Sequence, residues 1–120
     1  MAVRAIRGAT RLTADNEAEM QSAVTELVRT MLERNGLSEG DLISVLFTST
    51  PDLHCAFPAS MARVLGLRDV PLLCAQEIDV TGALERVVRV MAHVEMSQPR
   101  SEVVHVYLRG AEVLRLDLDP

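Results

Sequence analysis

Val70-Pro-Leu-Leu-Cys-Ala-Gln-Glu-Ile-Asp-Val-Thr-Gly-Ala-Leu-Glu-Arg-Val-Val-Arg-Val-Met91 is the stretch whose reading decides the fold. Its first part, residues 70–78, reads as a buried strand, and the polar Asp79–Gly82 run reads as a turn. Beyond it, Leu84, Val87, Val88 and Met91 recur at three- and four-residue steps, which predicts a helix over 82–95. On that helix Glu85, Arg86, Arg89 and His93 share the polar side. Arg89 is then either part of a solvated face, paired with Glu85 one turn back, or one wall of a cleft. Glu77 closes the apolar run Leu72-Leu73-Cys74-Ala75, as a rim charge or as a carboxylate at a strand mouth, a common binding position in α/β folds.

Outward from this block the pattern is legible in both directions. Residues 2–7 form a short β-like segment that ends at Gly8, where the chain turns or another backbone comes close. Residues 16–35 make the clearest helix, with Met20, Ala23, Val24, Leu27, Val28 and Met31 along one stripe. Asp15 or Asn16 caps its start, and Asn35-Gly36 ends it. Residues 42–48 read as a mostly buried strand, followed by a proline-punctuated loop and a short helix from Ala59 to Leu65 that carries Arg63. Residues 103–108 are predicted as a strand, and Arg109-Gly110 as a turn into a final strand at 113–116. Strands alternating with helices, then a hairpin, predict one mixed-sheet α/β or α+β domain over residues 1–120, with a long helix packed on one face.

Composition narrows the chemistry. The 120 residues carry a net charge of −5, which argues against duplex nucleic acid as a partner. Three aromatics, Phe47, Phe57 and Tyr107, are too few for a base-stacking platform. Every basic side chain is arginine, so Schiff-base and phosphate-loop lysine chemistries are excluded. Cys55 and Cys74 make no disulfide framework, and neither they nor His54, His93 and His105 show zinc-site spacing. With no apolar run of spanning length and no secretory signal, a reduced, cytoplasmic setting is expected, without membrane contact. Cys74 has no histidine near it in sequence and reads more readily as a small apolar residue than as a nucleophile. What remains is a set of arginines (Arg7, Arg63, Arg89, Arg115) and one glutamate at element ends, suited to holding a small dianion. The 48% apolar content agrees with a surface covered by a partner chain.

Seven runs, in order, resemble a known family: Arg4-Ala-Ile-Arg7-Gly-Ala-Thr10, Ser49-Thr-Pro-Asp-Leu-His54, Ala56-Phe-Pro-Ala59, Cys74-Ala-Gln-Glu77 with Asp79-Val-Thr-Gly82, Arg89-Val-Met91, His105-Val-Tyr107-Leu, and Val113-Leu-Arg115. Together they resemble the monofunctional, trimeric chorismate mutases of the pseudo-α/β-barrel class, over residues 2 to about 118. The resemblance implies conversion of chorismate to prephenate in phenylalanine and tyrosine biosynthesis, without metal or cofactor. It also implies a homotrimer with sites at subunit interfaces. It implies catalytic roles for Arg7, Glu77 and Arg89: Arg7 on a carboxylate, Arg89 on the ether oxygen, Glu77 on the ring hydroxyl with Cys74 close by. Tyr107 would hold the enolpyruvyl carboxylate. Phe57, Ala59, Leu72, Leu73 and Leu114 would line the pocket, with Arg63 and Arg115 near its entrance. Ser60 stands where family members carry a lysine, and the tail ending Leu118-Asp119-Pro120 is short. The competing readings are an imine-deaminase-like trimer that also binds small acids between subunits, and a plain interaction domain.

Overall fold

In the computed structural model, which describes residues 1–117 with side chains through Arg115, five strands form one mixed sheet. The strands are β1 (Ala2–Arg11), β2 (Leu42–Ser49), β3 (Leu72–Gln76), β4 (Val87–Met96) and β5 (Val106–Tyr107). Their spatial order is β3-β2-β4-β1-β5. The helix α1 (Glu17–Arg34) carries the chain from β1 to β2, and the short α2 (Pro58–Ala62) lies between β2 and β3. β2 pairs parallel with β3, and β1 parallel with β5, while β4 runs antiparallel to both β1 and β2 between them. The sheet is thus parallel except for its central strand.

That central strand corrects the helix expected over 82–95. Leu84, Val87, Val88 and Met91 satisfy a helical period, but the sheet selects a period of two: Val88, Val90, Ala92, Val94 and Met96 are buried, while Arg89, Met91, His93 and Glu95 alternate with them. Four valines in ten residues favour extended backbone, and β1 and β2 pair with the strand on both edges. Gly82 (φ 82°) and Arg86 (φ 55°) interrupt any helix upstream. The Glu85–Arg89 ion pair expected on that helix is absent; Glu85 pairs instead with Arg86, at 3.0 Å.

The C-terminal hairpin is also corrected. The strand expected over 103–108 is reduced to Val106–Tyr107, and residues 111–117 form a 3-10 helix rather than a strand. Arg109 (φ 52°) and Gly110 (φ 91°) make the turn, and the Ala111 N–H then donates to the Leu108 carbonyl at 3.0 Å, which starts helical rather than strand backbone. The tail from Leu118 to Pro120 lies outside the described residues.

The long first helix is where the periodicity places it. Asn16 caps it by accepting from the Glu19 N–H at 2.9 Å, and the Glu19 carboxylate reaches back to the Thr13 N–H at 2.6 Å. Its stripe of Met20, Ala23, Val24, Leu27, Val28 and Met31 is buried on the sheet. At Gly8 helix and sheet come close: a Cβ there would lie 2.5 Å from Met31 Sδ and 3.1 Å from Leu27 Cδ1. The helix covers one face of the sheet, that of Ile6, Gly8, Phe47, Val88 and Val90. The register puts Arg7, Ala9, Leu46, Thr48, Arg89, Met91, Leu73 and Tyr107 on the opposite face, which no long helix among the described residues covers.

Candidate active site

β4 delivers Arg89 to the middle of the open face, between Ala9 of β1 and Thr48 of β2. Its flanking residues Val88 and Val90 point into the core, so alternation alone sends the guanidinium outward. Glu77 follows β3 directly, and its N–H donates to the Ser49 carbonyl at 2.9 Å, which extends the β2–β3 pairing by one residue. Its carboxylate is thereby held beside Arg89. The Arg89 Nε donates to both Glu77 oxygens at 3.1 Å, and the Thr48 hydroxyl donates to Oε2 at 2.7 Å. The Glu77 side chain is 16% exposed and that of Arg89 47%. The pair is therefore anchored at the carboxylate and open at the guanidinium. Among the described residues, no hydrogen bond engages the two terminal nitrogens of Arg89, which leaves a planar donor edge free for an anion.

Beside this pair lies a cleft of about 280 Å³ lined by Arg7, Leu46, Thr48, Arg89, Tyr107 and Leu114, among others. Two guanidinium groups, one phenol and an apolar floor suit a small, compact, anionic organic molecule. Arg7 reaches the cleft because β1 pairs it with Met91 on the open face. Tyr107 reaches it because β5 pairs Tyr107 with Ala9. The Arg7 N–H donates to His105 Nδ1 at 2.9 Å. Burial, then the charges of Arg7 and Arg115, hold the His105 imidazole below its ordinary range.

The other residues singled out from the sequence lie elsewhere in the single chain. Phe57 and Cys74 line a second cleft of about 570 Å³, together with Ser60 and Gln76. Ala59 stands next to it, and its N–H points at Cys74 Sγ at 3.4 Å. Ser60 gives its own N–H to the Phe57 carbonyl at 3.0 Å. Arg63 and Leu72 line a third hollow with Leu67, Arg68 and Val70. Leu73 sits on the open face of β3, opposite Leu46, and is 66% exposed. Arg115 is exposed next to Leu114. One chain therefore brings together Arg7, Glu77, Arg89, Tyr107 and Leu114, and leaves Phe57, Ala59, Arg63, Leu72 and Cys74 away from that cleft.

Two groups at the site were not singled out from the sequence. Thr48 orients the Glu77 carboxylate, and the Arg7 backbone rests on His105. Thr48 carries a signal only once Arg89 is read on a strand, because only cross-strand register makes the two neighbours. Cys55 belongs to a different structure: its thiol is pushed up to about 11 by burial and by the Asp15 carboxylate. That carboxylate also accepts the His54 and Cys55 N–H groups, each at 2.9 Å, and ties this loop to the start of α1.

Sequence comparison agrees with this geometry. The family model of type I chorismate mutases matches residues 3–118, and the chain belongs to that family. Its relatives include Chorismate mutase AroH of Bacillus subtilis, 42% identical over 119 residues, covering 98% of this chain and 94% of that protein. Chorismate mutase AroH of Thermus thermophilus is 48% identical over 118 residues, covering 98% and 97% of the two chains. Among solved structures, a chorismate mutase from Clostridium thermocellum superposes with a TM-score of 0.89 at 46% identity, over 91% of this chain and 97% of that one. No helix among the described residues is long and apolar enough to cross a membrane.

Proposed function

We propose that the protein is a single-domain chorismate mutase that converts chorismate to prephenate in the cytoplasm, for phenylalanine and tyrosine biosynthesis. The observation that carries this reading is the Arg89–Glu77–Thr48 array beside a cleft that also holds Arg7 and Tyr107. The reaction is an intramolecular rearrangement: one carbon–oxygen bond breaks as one carbon–carbon bond forms, and no proton or electron comes from outside. It requires neither nucleophile nor general base, and in this reading the Glu77 carboxylate serves only as a hydrogen-bond acceptor. What it requires is that a flexible dianion be held in its compact reactive conformer.

Arg7 and Tyr107 lie on adjacent strands and line one cleft, and in this reading they grip a carboxylate from one side of it. Arg89, on the next strand over, would meet the ether oxygen in this reading. As the carbon–oxygen bond stretches, negative charge grows on that oxygen, and a guanidinium fixed there stabilises the transition state more than the ground state. Glu77 holds Arg89 Nε, which aims the terminal nitrogens, and its remaining lone pairs accept the ring hydroxyl. The protein's net charge of −5 does not oppose an anionic substrate, because the arginines set the local potential.

In this reading the site is completed by a second copy of the chain in a homotrimer. Phe57 is 71% exposed, Leu73 66% and Ile78 87%, all on or near the β3 edge, and among the described residues no long helix covers the open sheet face. Phe57, Ala59, Leu72, Leu73 and Cys74 of one subunit would then close the Arg7–Arg89–Tyr107 cleft of its neighbour, which Leu114 also lines, with Arg63 and Arg115 near the entrance. Following the loss of chorismate absorbance with purified protein tests the activity; a rate no faster than the spontaneous one rejects it. Sedimentation equilibrium tests the assembly, for which the mass of three chains is expected and a monomer at micromolar concentration rejects it.

A further inference from the structure

We propose that His105 is a positioning residue for this site: its unprotonated Nδ1 holds the backbone of Arg7, and thereby the spacing of Arg7 from Tyr107. The proposal rests on the reading of Arg7 and Tyr107 as substrate-binding groups. β5 is only two residues long, Val106 and Tyr107, paired with Gly8 and Ala9. The Leu108 N–H continues the ladder to the Ala9 carbonyl at 2.9 Å. At the other end the ladder stops, and the Arg7 N–H meets an imidazole nitrogen at 2.9 Å instead of a carbonyl. The residue before His105 is also held by a side chain. Val104 donates to Asn35 Oδ1 at 2.9 Å and accepts from Nδ2 at 2.9 Å. Asn35 is buried at the end of α1 and also donates to the Met31 carbonyl at 2.7 Å. Two side chains thus fix the approach to β5, and the one that touches β1 is titratable.

A backbone N–H can only donate, so Nδ1 must carry a lone pair and the proton must sit on Nε2. A second proton would point Nδ1–H at the Arg7 N–H. The bond would be lost and a positive charge added. The charged groups facing the ring, among the described residues, are the guanidinium of Arg7 on β1 and that of Arg115 on the C-terminal 3-10 helix. Both oppose that second proton, as does burial of the ring. Once protonated, the ring no longer fixes the edge strand, and Tyr107 and Arg7 are no longer held at one separation. The consequence falls on substrate binding and not on Arg89, which sits one strand further in.

The test compares kcat and KM from about pH 5 to 8 for the native protein, His105→Asn and His105→Phe. Asparagine can place a carbonyl oxygen where Nδ1 stands and does not titrate; phenylalanine keeps the ring and loses the acceptor. Expected are a rise in KM below the ordinary histidine range in the native enzyme, no such rise in His105→Asn, and a KM raised on the order of tenfold at every pH in His105→Phe. Nitrogen-15 spectra of histidine-labelled native protein give a readout independent of activity: His105 should show an unprotonated Nδ1 and a protonated Nε2 at neutral pH. A protonated Nδ1, an unchanged KM in His105→Phe, or the native acid limb in His105→Asn each overturns the proposal. An unchanged KM in Arg7→Ala overturns instead the assignment of Arg7, and the nitrogen-15 spectra still report whether His105 holds its backbone.

Discussion

Arg89 Nε lies 3.1 Å from each oxygen of Glu77, and one of those oxygens also takes the Thr48 hydroxyl at 2.7 Å. The arrangement spends one edge of the guanidinium on orientation and leaves the other for the ligand. Arg89→Ala should lower kcat/KM by about a hundredfold or more, since a donor to a developing oxyanion is worth about 3 kcal/mol. Circular dichroism should show the fold intact, because the side chain is half exposed. Arg89→Lys keeps the charge but loses the fork, and should recover little. Activity equal to the native protein in Arg89→Ala would remove Arg89 from the mechanism.

Thr48→Val keeps shape and β propensity while it removes one hydrogen bond to the Glu77 carboxylate. A fall in kcat/KM of about tenfold is expected, from a carboxylate no longer fixed against Arg89. Thermal melting should move little. A variant with native kinetics would mean that the ion pair orients itself without Thr48.

Gly8→Ala places a methyl group 2.5 Å from Met31 Sδ, so α1 must shift or Met31 must change rotamer. A loss of about 1–3 kcal/mol is expected, read from denaturant midpoints. In a Met31→Ala background the added methyl enters emptied space, and the same substitution should cost less. A double-mutant cycle with no such coupling would show that the close approach is not what excludes a side chain at residue 8.

Acid stability should depend on the start of α1. Backbone hydrogen bonds hold Asp15 below its ordinary value of 3.8, chiefly from the His54 N–H, and Glu19 below 4.5, chiefly from Thr13. The unfolded chain then binds these protons more readily than the folded one. Their contribution is complete above the ordinary values and is lost as pH falls through the lower folded ones. Glu19→Gln should therefore flatten the pH dependence of stability below about pH 5, as followed by acid unfolding. An unchanged acid limb would rule this cap out as a source of it.

Cys55 should react slowly. With its thiol at about 11, the thiolate fraction near pH 8 is small, and alkylation should run about a hundredfold slower than for free cysteine. Asp15→Asn removes the nearby negative charge and should speed it. Mass spectrometry of timed iodoacetamide reactions reads both rates.

Much was legible from sequence alone. Apolar spacing defined α1, because a long helix with one buried stripe has no competing period. Strand propensity located β1, β2 and β3, although β1 extends four residues past the expected Arg7. The seven runs in order named the family. The strand β4 was not legible, because Leu84, Val87, Val88 and Met91 fit a helix while Val88, Val90, Ala92, Val94 and Met96 fit a strand. Local sequence holds both periods. The choice falls to non-local hydrogen bonds from β1 and β2, which only the folded sheet supplies. The same choice decided the site. On a helix, Arg89 would have faced Glu85 one turn away; on the strand it meets Glu77 and Thr48, from segments 12 and 41 residues distant in the chain. Residue types fixed which charges were present, and cross-strand register fixed which of them touch, because a sheet makes neighbours of residues that no local spacing relates.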